Sequence, residues 1–133
     1  MFKCEKYETS FGEIEHLLDD VLIIRYDKIN RIEEEHVKSI SHYRDKIIGD
    51  KKYYAISDVR TGIVTFTNEA KQYLAQERSI QNRRHLDIVI VSNWASKMEV
   101  QLYLKLFKPL VDTQVVRTVD EALDLIEAHR NMS

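Results

Sequence analysis

Cysteine, proline and glycine are scarce in this sequence of 133 residues, which has one cysteine, one proline and three glycines. The single cysteine, Cys4, excludes a disulfide framework within the chain and is typical of proteins in a reducing compartment. Because so few glycine and proline residues leave no flexible linker between domains, residues 1–133 are predicted to form one domain.

Long apolar runs and an excess of positive charge are also missing. No stretch approaches the roughly 20 apolar residues of a membrane-spanning helix, and the first residues lack the pattern of a signal peptide. We therefore expect a cytoplasmic protein. The formal net charge is -2, whereas a general nucleic-acid binder has a basic excess, so no nucleic-acid partner is predicted.

The sequence contains none of the common motifs of catalysis or cofactor binding. Neither a G-x-G-x-x-G nor a G-x-x-x-x-G-K-[ST] loop is present, and there is no H-E-x-x-H motif or cysteine cluster. His42 and Asp45 have a spacing that arises often by chance, and His36 lies on an apolar helix stripe, where a packed histidine is expected. No cofactor, no metal and no enzymatic activity are predicted.

Hydrophobic periodicity predicts alternating strands and helices. Two early strands flank the turn signal Asp19-Asp20 and should form an antiparallel hairpin. Leu86 to Val91 is apolar almost throughout, which is typical of a strand inside a parallel sheet. Thr118 and Glu121 form a capping box at the start of the last helix. The predicted strands are Phe2–Tyr7, Ile14–Leu17, Val21–Tyr26, Tyr53–Ser57, Leu86–Val91 and Thr113–Arg117. The predicted helices are Asn30–Ile48, Thr67 or Asn68 to about Arg84, Trp94–Phe107 and Val119–His129. The first of these helices is predicted to be capped by Asp27 or Asn30 and to end at Gly49.

This order of elements predicts an α/β fold. We expect a single-layer mixed, mostly parallel sheet of four to six strands, with an N-terminal antiparallel hairpin and four helices. The loop from Val59 to Thr67 should have some extended character near Ile63 to Phe66.

Polar residues lie where the predicted parallel strands end and the helices begin. Open α/β sheets bind ligands beside that edge, and helix N-termini favour anions. A ligand loop is therefore one interpretation, while ordinary helix caps and turns are the other. The residues concerned are Asp58, Arg60, Thr61, Thr67, Asn68, Ser92 and Asn93.

The predicted helix from Trp94 to Phe107 has two apolar faces. One face suits the sheet, and the second is made of Val100, Tyr103, Leu104 and Phe107. The second face either packs on a neighbouring helix or is exposed for another protein, a second copy of the chain or a lipid surface. Lysines flank it, as they would at a membrane surface.

Several short stretches together resemble the STAS-like domains, the group of the anti-sigma-factor antagonists and related lipid-binding folds. They are Gly12-Glu13-Ile14, Val21 to Tyr26, Tyr54-Ala55-Ile56-Ser57-Asp58, and the tail from Leu102-Tyr103-Leu104-Lys105 through Lys108-Pro109 to Thr118-Val119-Asp120-Glu121-Ala122-Leu123. The resemblance implies a mixed sheet with helices against it and a non-enzymatic role. It also implies a phosphorylated Ser or Thr at the start of the second helix, near Thr67 and Asn68. The usual Asp-Ser-Ser/Thr-Gly signature is absent, because this chain has Thr65-Phe66-Thr67-Asn68-Glu69-Ala70.

The predicted function is that of a STAS-like regulatory or protein-interaction module, whose partner is another protein or a second copy of the chain. The alternative is a module that binds a small ligand, a lipid or a membrane surface. A third hypothesis, an enzyme with a site at the strand ends, would need a nucleophile and base that the sequence does not indicate.

Overall fold

Short runs of β-branched residues alternate with amphipathic segments, and the chain folds accordingly as an α/β protein. The computed structural model describes residues 4–60, 64–76, 84–93, 95, 97–98 and 112–132. The described strands are β1 (Cys4–Glu8), β2 (Glu13–Leu17), β3 (Val21–Arg25), β4 (Arg31–Ile32), β5 (Tyr53–Asp58), β6 (Thr65–Phe66), β7 (Arg84–Ile90) and β8 (Thr113–Val116), and the described helices are α1 (Glu34–Ile48), α2 (Asn68–Gln76) and α3 (Val119–Met132).

Six of these strands form one mixed sheet in the order β1-β2-β3-β5-β7-β8. The pairs β1–β2 and β2–β3 are antiparallel, and the pairs β3–β5, β5–β7 and β7–β8 are parallel. The predicted hairpin around Asp19 and Asp20 and the interior position of the Leu86 strand are therefore confirmed. The predicted class, an α/β fold with a mostly parallel mixed sheet, is confirmed as well.

Helices pack on both faces of the sheet because successive strand residues point to opposite sides. In β3, Leu22 and Ile24 belong to a core that includes Val37 of α1 and Ala70 of α2. Their neighbours Val21 and Ile23 belong to a second core that includes Ala122 and Ile126 of α3. This alternation explains why Val21 to Ile24 is an unbroken apolar run that is buried throughout.

The first helix begins later than the sequence predicts. It starts at Glu34 with Glu33 as its N-cap residue, so the prediction of a start at Asn30 with a cap at Asp27 or Asn30 was wrong. The reason is tertiary, because Arg31–Ile32 pairs in parallel with Thr65–Phe66 in a separate two-stranded sheet. Hydrogen bonding to a distant segment therefore prevails over local helical periodicity. The extended character predicted near Phe66 is confirmed.

Two other helix predictions also differ from the structure. The second helix does not reach Arg84, because Arg84 is the first residue of β7, and the helix is described over Asn68–Gln76. The predicted Trp94–Phe107 helix lies almost entirely outside the described residues, of which Ala95, Lys97 and Met98 are helical. The described part of the chain thus has three full helices rather than four.

Gly12 is required by a close approach between β2 and β3. Its φ is +158°, and a Cβ built there would lie 1.9 Å from the backbone oxygen of Arg25. Gly49, by contrast, has φ +71° at the end of α1 with nothing within 4 Å of a built Cβ. The predicted helix end at Gly49 is confirmed.

The predicted cap of the last helix is confirmed, because Thr118 Oγ1 accepts a hydrogen bond of 3.0 Å from the Glu121 N–H. This bond satisfies a backbone donor that the start of a helix leaves free. The Glu121 carboxylate accepts a hydrogen bond of 3.1 Å from the N–H of Arg117, one residue before the N–H that a capping box uses.

Candidate functional site

The parallel strands end at one edge of the sheet, here called the C-terminal edge, whose strand-terminal residues are Arg25, Asp58, Ile90 and Val116. Backbone hydrogen bonds continue past the strand ends, from Tyr26 N–H to Asp58 O at 3.2 Å and from Val91 N–H to Val116 O at 2.9 Å. The edge is therefore a fixed frame for the side chains on it.

Asp58 and Arg60 form the best-defined contact at the C-terminal edge. Asp58 is buried, with 6% of its side chain exposed. Arg60 donates from Nε to Oδ1 at 2.9 Å, from Nη2 to Oδ2 at 2.8 Å and from its backbone N–H to Oδ1 at 3.1 Å. This bidentate contact fixes the first residues of the segment that leaves β5.

Arg25 extends the contact into a network of five charged residues. Its Nη1 donates to Glu15 Oε1 at 2.6 Å and to Glu13 Oε1 at 3.1 Å. Its Nε lies 3.6 Å from Asp58 Oδ2. The edge network is defined as Glu13, Glu15, Arg25, Asp58 and Arg60. It joins the antiparallel and parallel halves of the sheet.

Sequence reasoning identified Asp58 and Arg60 but missed the other three members of the network. Arg25 is the register partner of Glu13 on one side and of Asp58 on the other. Strand alignment would have indicated this, since both Arg25 and Asp58 are the last residues of neighbouring parallel strands. The sequence interpretation considered residues near in sequence, and these partners are distant in it.

Asp58 and Arg60 stabilise each other's charged forms. Burial by itself would raise the pKa of Asp58, but the hydrogen bonds from Arg60 and the charges of Arg60 and Arg25 outweigh it and lower that pKa. The hydrogen bond to Asp58 raises the pKa of Arg60 despite some burial. Asp58 is therefore anionic at neutral pH and suits positioning rather than general acid or base chemistry.

The remaining predicted strand-end residues are not in the described part of this network. Asn93 Nδ2 donates to Ser92 Oγ at 3.2 Å, and both residues are exposed. Asn93 O accepts a hydrogen bond of 3.2 Å from the Lys97 N–H, as at the start of a helix. Thr61 lies outside the described residues, and so do Val100, Tyr103, Leu104 and Phe107.

Thr67 and Asn68 begin α2 beside the small sheet. Thr67 Oγ1 accepts a hydrogen bond of 3.1 Å from the Ala70 N–H, and the Thr67 N–H donates to Ile32 O at 2.9 Å. Thr67 thus caps the helix, as one interpretation of the sequence expected. Asn68 is exposed at the first helical position.

The small sheet places two helix starts next to each other. β4 leads into α1 and β6 leads into α2, and the two strands are parallel neighbours. The helices therefore begin on the same side of the molecule. We define the paired-helix surface as five of the exposed residues at these starts, which are Arg31, Glu33, Thr65, Asn68 and Glu69.

Glu33, Glu35 and His36 bring potential metal ligand atoms within 4.8 Å of one another at the start of α1. His36 Nδ1, however, accepts a hydrogen bond of 2.9 Å from the Glu33 N–H. The neutral ring then carries its proton on Nε2, which lies 3.9 Å from Glu35 Oε1 and has no free lone pair for a metal. The closeness of these three side chains is therefore explained by their position at the start of α1.

His42 and Asp45, the other pair considered for a metal, each contact a different neighbour. Asp45 Oδ1 accepts hydrogen bonds of 3.0 and 2.7 Å from Nε and Nη2 of Arg44, while the His42 ring stacks edge-on with Tyr43. His36 itself packs against Phe11, with ring centroids 6.1 Å apart. The expectation of a packed histidine at position 36 is confirmed.

The opposite edge of the parallel strands, here called the N-terminal edge, has ionisable residues that the sequence interpretation missed. Arg84 Nη1 donates to Asp87 Oδ2 at 2.6 Å. Burial raises the pKa of Asp87 against the opposing charge and hydrogen bond of Arg84. Burial also raises the pKa of the neighbouring Tyr53 hydroxyl.

The fold and the edge network define an α/β protein with a mixed sheet and fixed charges at its strand ends. A family model for a domain of unknown function, DUF7793, matches residues 15–130, and the chain belongs to that family. No curated protein and no solved structure matches the chain significantly. Among the described residues, no helix is both long and apolar enough to span a bilayer.

Proposed function

We propose that this chain is a STAS-like regulatory module that acts by binding another protein rather than by catalysis. The partner contacts the paired-helix surface and the adjoining segment after β5. The support comes from the mixed sheet with its N-terminal hairpin, and from an edge network whose charged groups are engaged with one another.

The observation that carries the proposal is the way in which both ends of the segment between β5 and α2 are fixed. At one end, Asp58 binds the side chain and the backbone of Arg60. At the other end, β6 pairs with β4, and Thr67 caps α2. The described residues at both ends are thus ordered before a partner binds, which lowers the entropy cost of binding and favours affinity.

The charges of the paired-helix surface suit a polar protein partner. Arg31, Glu33 and Glu69 are exposed there, and the Arg60 side chain is 37% exposed beside its buried carboxylate partner. Exposed charges of both signs on a rigid frame select a partner with the complementary arrangement. The surface therefore favours specific recognition over general attraction to nucleic acid.

Thr67 is the residue through which phosphorylation would regulate this surface. Its hydroxyl is already at the N-terminus of α2, where an added phosphate would be stabilised by free backbone N–H groups. The exposed Glu69 nearby would oppose that charge. Mass spectrometry of the chain isolated from its own cells tests whether Thr67 is phosphorylated. A phosphate mapped to Thr67 supports the switch, and its absence in growing and in stressed cells contradicts it.

The test of partner binding is affinity purification from the same cells with quantitative proteomics. A tagged Arg31→Glu/Glu69→Lys variant reverses two exposed charges of the paired-helix surface. A matched Lys46→Glu/Glu127→Lys variant reverses two exposed charges elsewhere. A true partner should be recovered with the wild type and the matched variant, and should then bind the surface variant at least about tenfold more weakly in titration calorimetry.

Two results would contradict the proposal. One is a partner that binds the surface variant as well as the wild type. The other is steady turnover of a substrate by the purified chain that Asp58→Ala abolishes while the fold persists.

The alternative function, binding of a lipid or membrane surface, rests on Val100, Tyr103, Leu104 and Phe107, which lie outside the described residues. Co-sedimentation with vesicles of anionic lipid tests it.

A further inference from the structure

Several side chains converge on the buried ring of Tyr54 at the N-terminal edge of the sheet. Tyr54 is 2% exposed. The centroid of its ring lies 4.9 Å from that of His85 and 5.4 Å from that of His129. The Arg130 guanidinium carbon lies 5.3 Å from the Tyr54 centroid, and the two imidazole centroids are 5.9 Å apart. We call Tyr54, His85, His129 and Arg130 the tyrosine cluster.

The tyrosine cluster attaches the last turn of α3 to the sheet. The Tyr54 hydroxyl and His129 Nδ1 are 2.8 Å apart. Arg130, the next residue of α3, forms an ion pair with Asp20 in the hairpin turn. The Tyr54 N–H donates to Asp20 O at 2.8 Å, so the hairpin turn, β5 and α3 meet at one point.

His85 enters this cluster because of an irregularity in β7. Tyr53 pairs with Arg84, whereas Tyr54 pairs with Leu86, which leaves His85 as an extra residue between them. A bulge of this kind redirects a side chain. It brings the His85 ring against Tyr54.

The Tyr54 hydroxyl and His129 Nδ1 form a hydrogen bond whose direction depends on the imidazole tautomer. Burial raises the pKa of Tyr54, and Asp20 adds to the rise against the charge of Arg130. Tyr54 therefore keeps its proton at neutral pH and can donate it to an Nδ1 that bears no hydrogen.

Positive charge outweighs negative charge around His85. Among the described residues, the groups that face it are Lys52 before β5, His129 and Arg130 on α3, and Asp20 in the hairpin turn. Asp20 is the one carboxylate of this set, and it is paired with Arg130. Burial first, and then Lys52, His129 and Arg130, lower the pKa of His85, with Asp20 opposing.

We propose that the tyrosine cluster is a pH-sensitive latch, which fastens the last turn of α3 to the sheet when His85 is neutral and releases it when His85 is protonated beside Lys52 and Arg130. The folded chain binds the His85 proton less readily than the unfolded chain does. The contribution to stability is therefore complete above the ordinary histidine pKa of about 6.5, and it is lost as pH falls through the lower pKa of His85.

Amide hydrogen exchange of the wild-type chain tests the latch. Exchange is measured at about pH 7.5 and at about pH 5.5, on either side of the ordinary histidine value of about 6.5, and is corrected for the intrinsic pH dependence. The protection of residues 128–132 should fall several-fold at the lower pH. The protection of the β5 core around Ile56 should stay nearly constant.

His85→Phe separates charge from packing, because phenylalanine keeps a ring against Tyr54 and cannot be protonated. This variant should keep the α3 turn protected at both pH values. The matched control is His42→Phe, at an exposed position of α1. This variant should keep the wild-type pH dependence. An NMR titration of His85 in the wild-type chain does not depend on whether a variant folds, and it should give a pKa below that of a histidine in a short peptide.

Three results would overturn the latch. The first is equal corrected protection of the α3 turn at both pH values. The second is a His85 that titrates at or above the peptide value. The third is a folded His85→Phe variant that retains the pH dependence of the wild type.

Discussion

Asp58 is the last residue of β5 and Asp87 lies in the middle of the neighbouring strand β7, and their environments shift their pKa values in opposite directions. The Asp58 side chain is 6% exposed, and that of Asp87 is 16% exposed. Burial acts on both in the same direction, toward a higher pKa. Yet the pKa of Asp58 is lowered and that of Asp87 is raised.

Hydrogen-bond donors and desolvation together explain the difference. Asp58 accepts three hydrogen bonds from Arg60 and lies beside Arg25. Asp87 accepts one side-chain bond, from Arg84, and among the described residues no partner reaches its buried Oδ1. At Asp58 the donors and nearby cations outweigh desolvation, whereas at Asp87 desolvation prevails over Arg84 and the Ile88 N–H.

The two edges of the sheet therefore suit different roles. At the C-terminal edge Asp58 and Arg60 stabilise each other's charged forms, as the proposed recognition surface requires. Toward the N-terminal edge burial raises the pKa of Asp87 and lowers that of His85, as the proposed latch requires of His85. Three predictions test this contrast, in order of decreasing effect.

The largest effect is expected from Gly12→Ala, beside the C-terminal edge. The new Cβ would lie 1.9 Å from Arg25 O, with Asp27 Oδ1 also close. Because backbone must move to relieve this overlap, we expect a loss of about 3 kcal/mol or more in the free energy of unfolding. Urea denaturation measures it.

Gly49→Ala at the end of α1 is the matched control. Its Cβ meets nothing within 4 Å, so only the unfavourable φ of +71° remains. We expect a loss of about 1 to 2 kcal/mol. Equal losses at Gly12 and Gly49 would mean that the close approach to β3 costs little.

An intermediate effect is expected from Arg25→Met. The variant removes the cation shared by Glu13, Glu15 and Asp58 while keeping the length of the side chain. Since Arg25 is 24% exposed, we expect a loss of about 2 kcal/mol at neutral pH, below the cost of breaking a fully buried pair. The pKa of Asp58, followed by NMR, should also rise.

Lys28→Met is its control, because Lys28 pairs with Glu8 at 2.7 Å on the exposed surface. Exposed ion pairs contribute little to stability, so the unfolding curve should barely change. If both variants lost the same stability, the edge network would be no stronger than a surface ion pair.

The smallest effect is a difference in the pH dependence of stability. The contribution of Asp58 is present above the unfolded aspartate pKa of about 3.9 and is lost as pH falls through its lower folded pKa. The contribution of Asp87 is complete below about 3.9 and is lost as pH rises through its higher folded pKa. Titration of both carboxyl carbons by NMR should show shifts of opposite sign.

Variants Asp58→Asn and Asp87→Asn extend this measurement. The stability advantage of the wild type over Asp58→Asn should shrink on acidification, whereas its advantage over Asp87→Asn should grow. Shifts of the same sign for both groups would contradict this balance between donors and desolvation.

Much of the fold was predictable because its signals are local. The hairpin, the interior strand at Leu86, the end of α1 at Gly49 and the cap at Thr118 follow from turn residues, apolar runs and capping chemistry within a few residues. The wrong boundaries, at Asn30 and Arg84, come from segments that tertiary pairing drew into strands. Of the candidate site, Asp58, Arg60 and Thr67 could be identified, since polar residues at strand ends and helix starts are visible in the sequence.

By itself, the sequence determined the α/β class, the alternation of strands and helices, and the polar character of the strand ends, because periodicity and capping act between near neighbours. Only the tertiary structure decided that Arg25 meets Asp58, that Arg31–Ile32 pairs with Thr65–Phe66, and that His85 and His129 share Tyr54. These contacts join residues far apart in the chain. They depend on strand register and on a bulge, which are set when all the elements pack together.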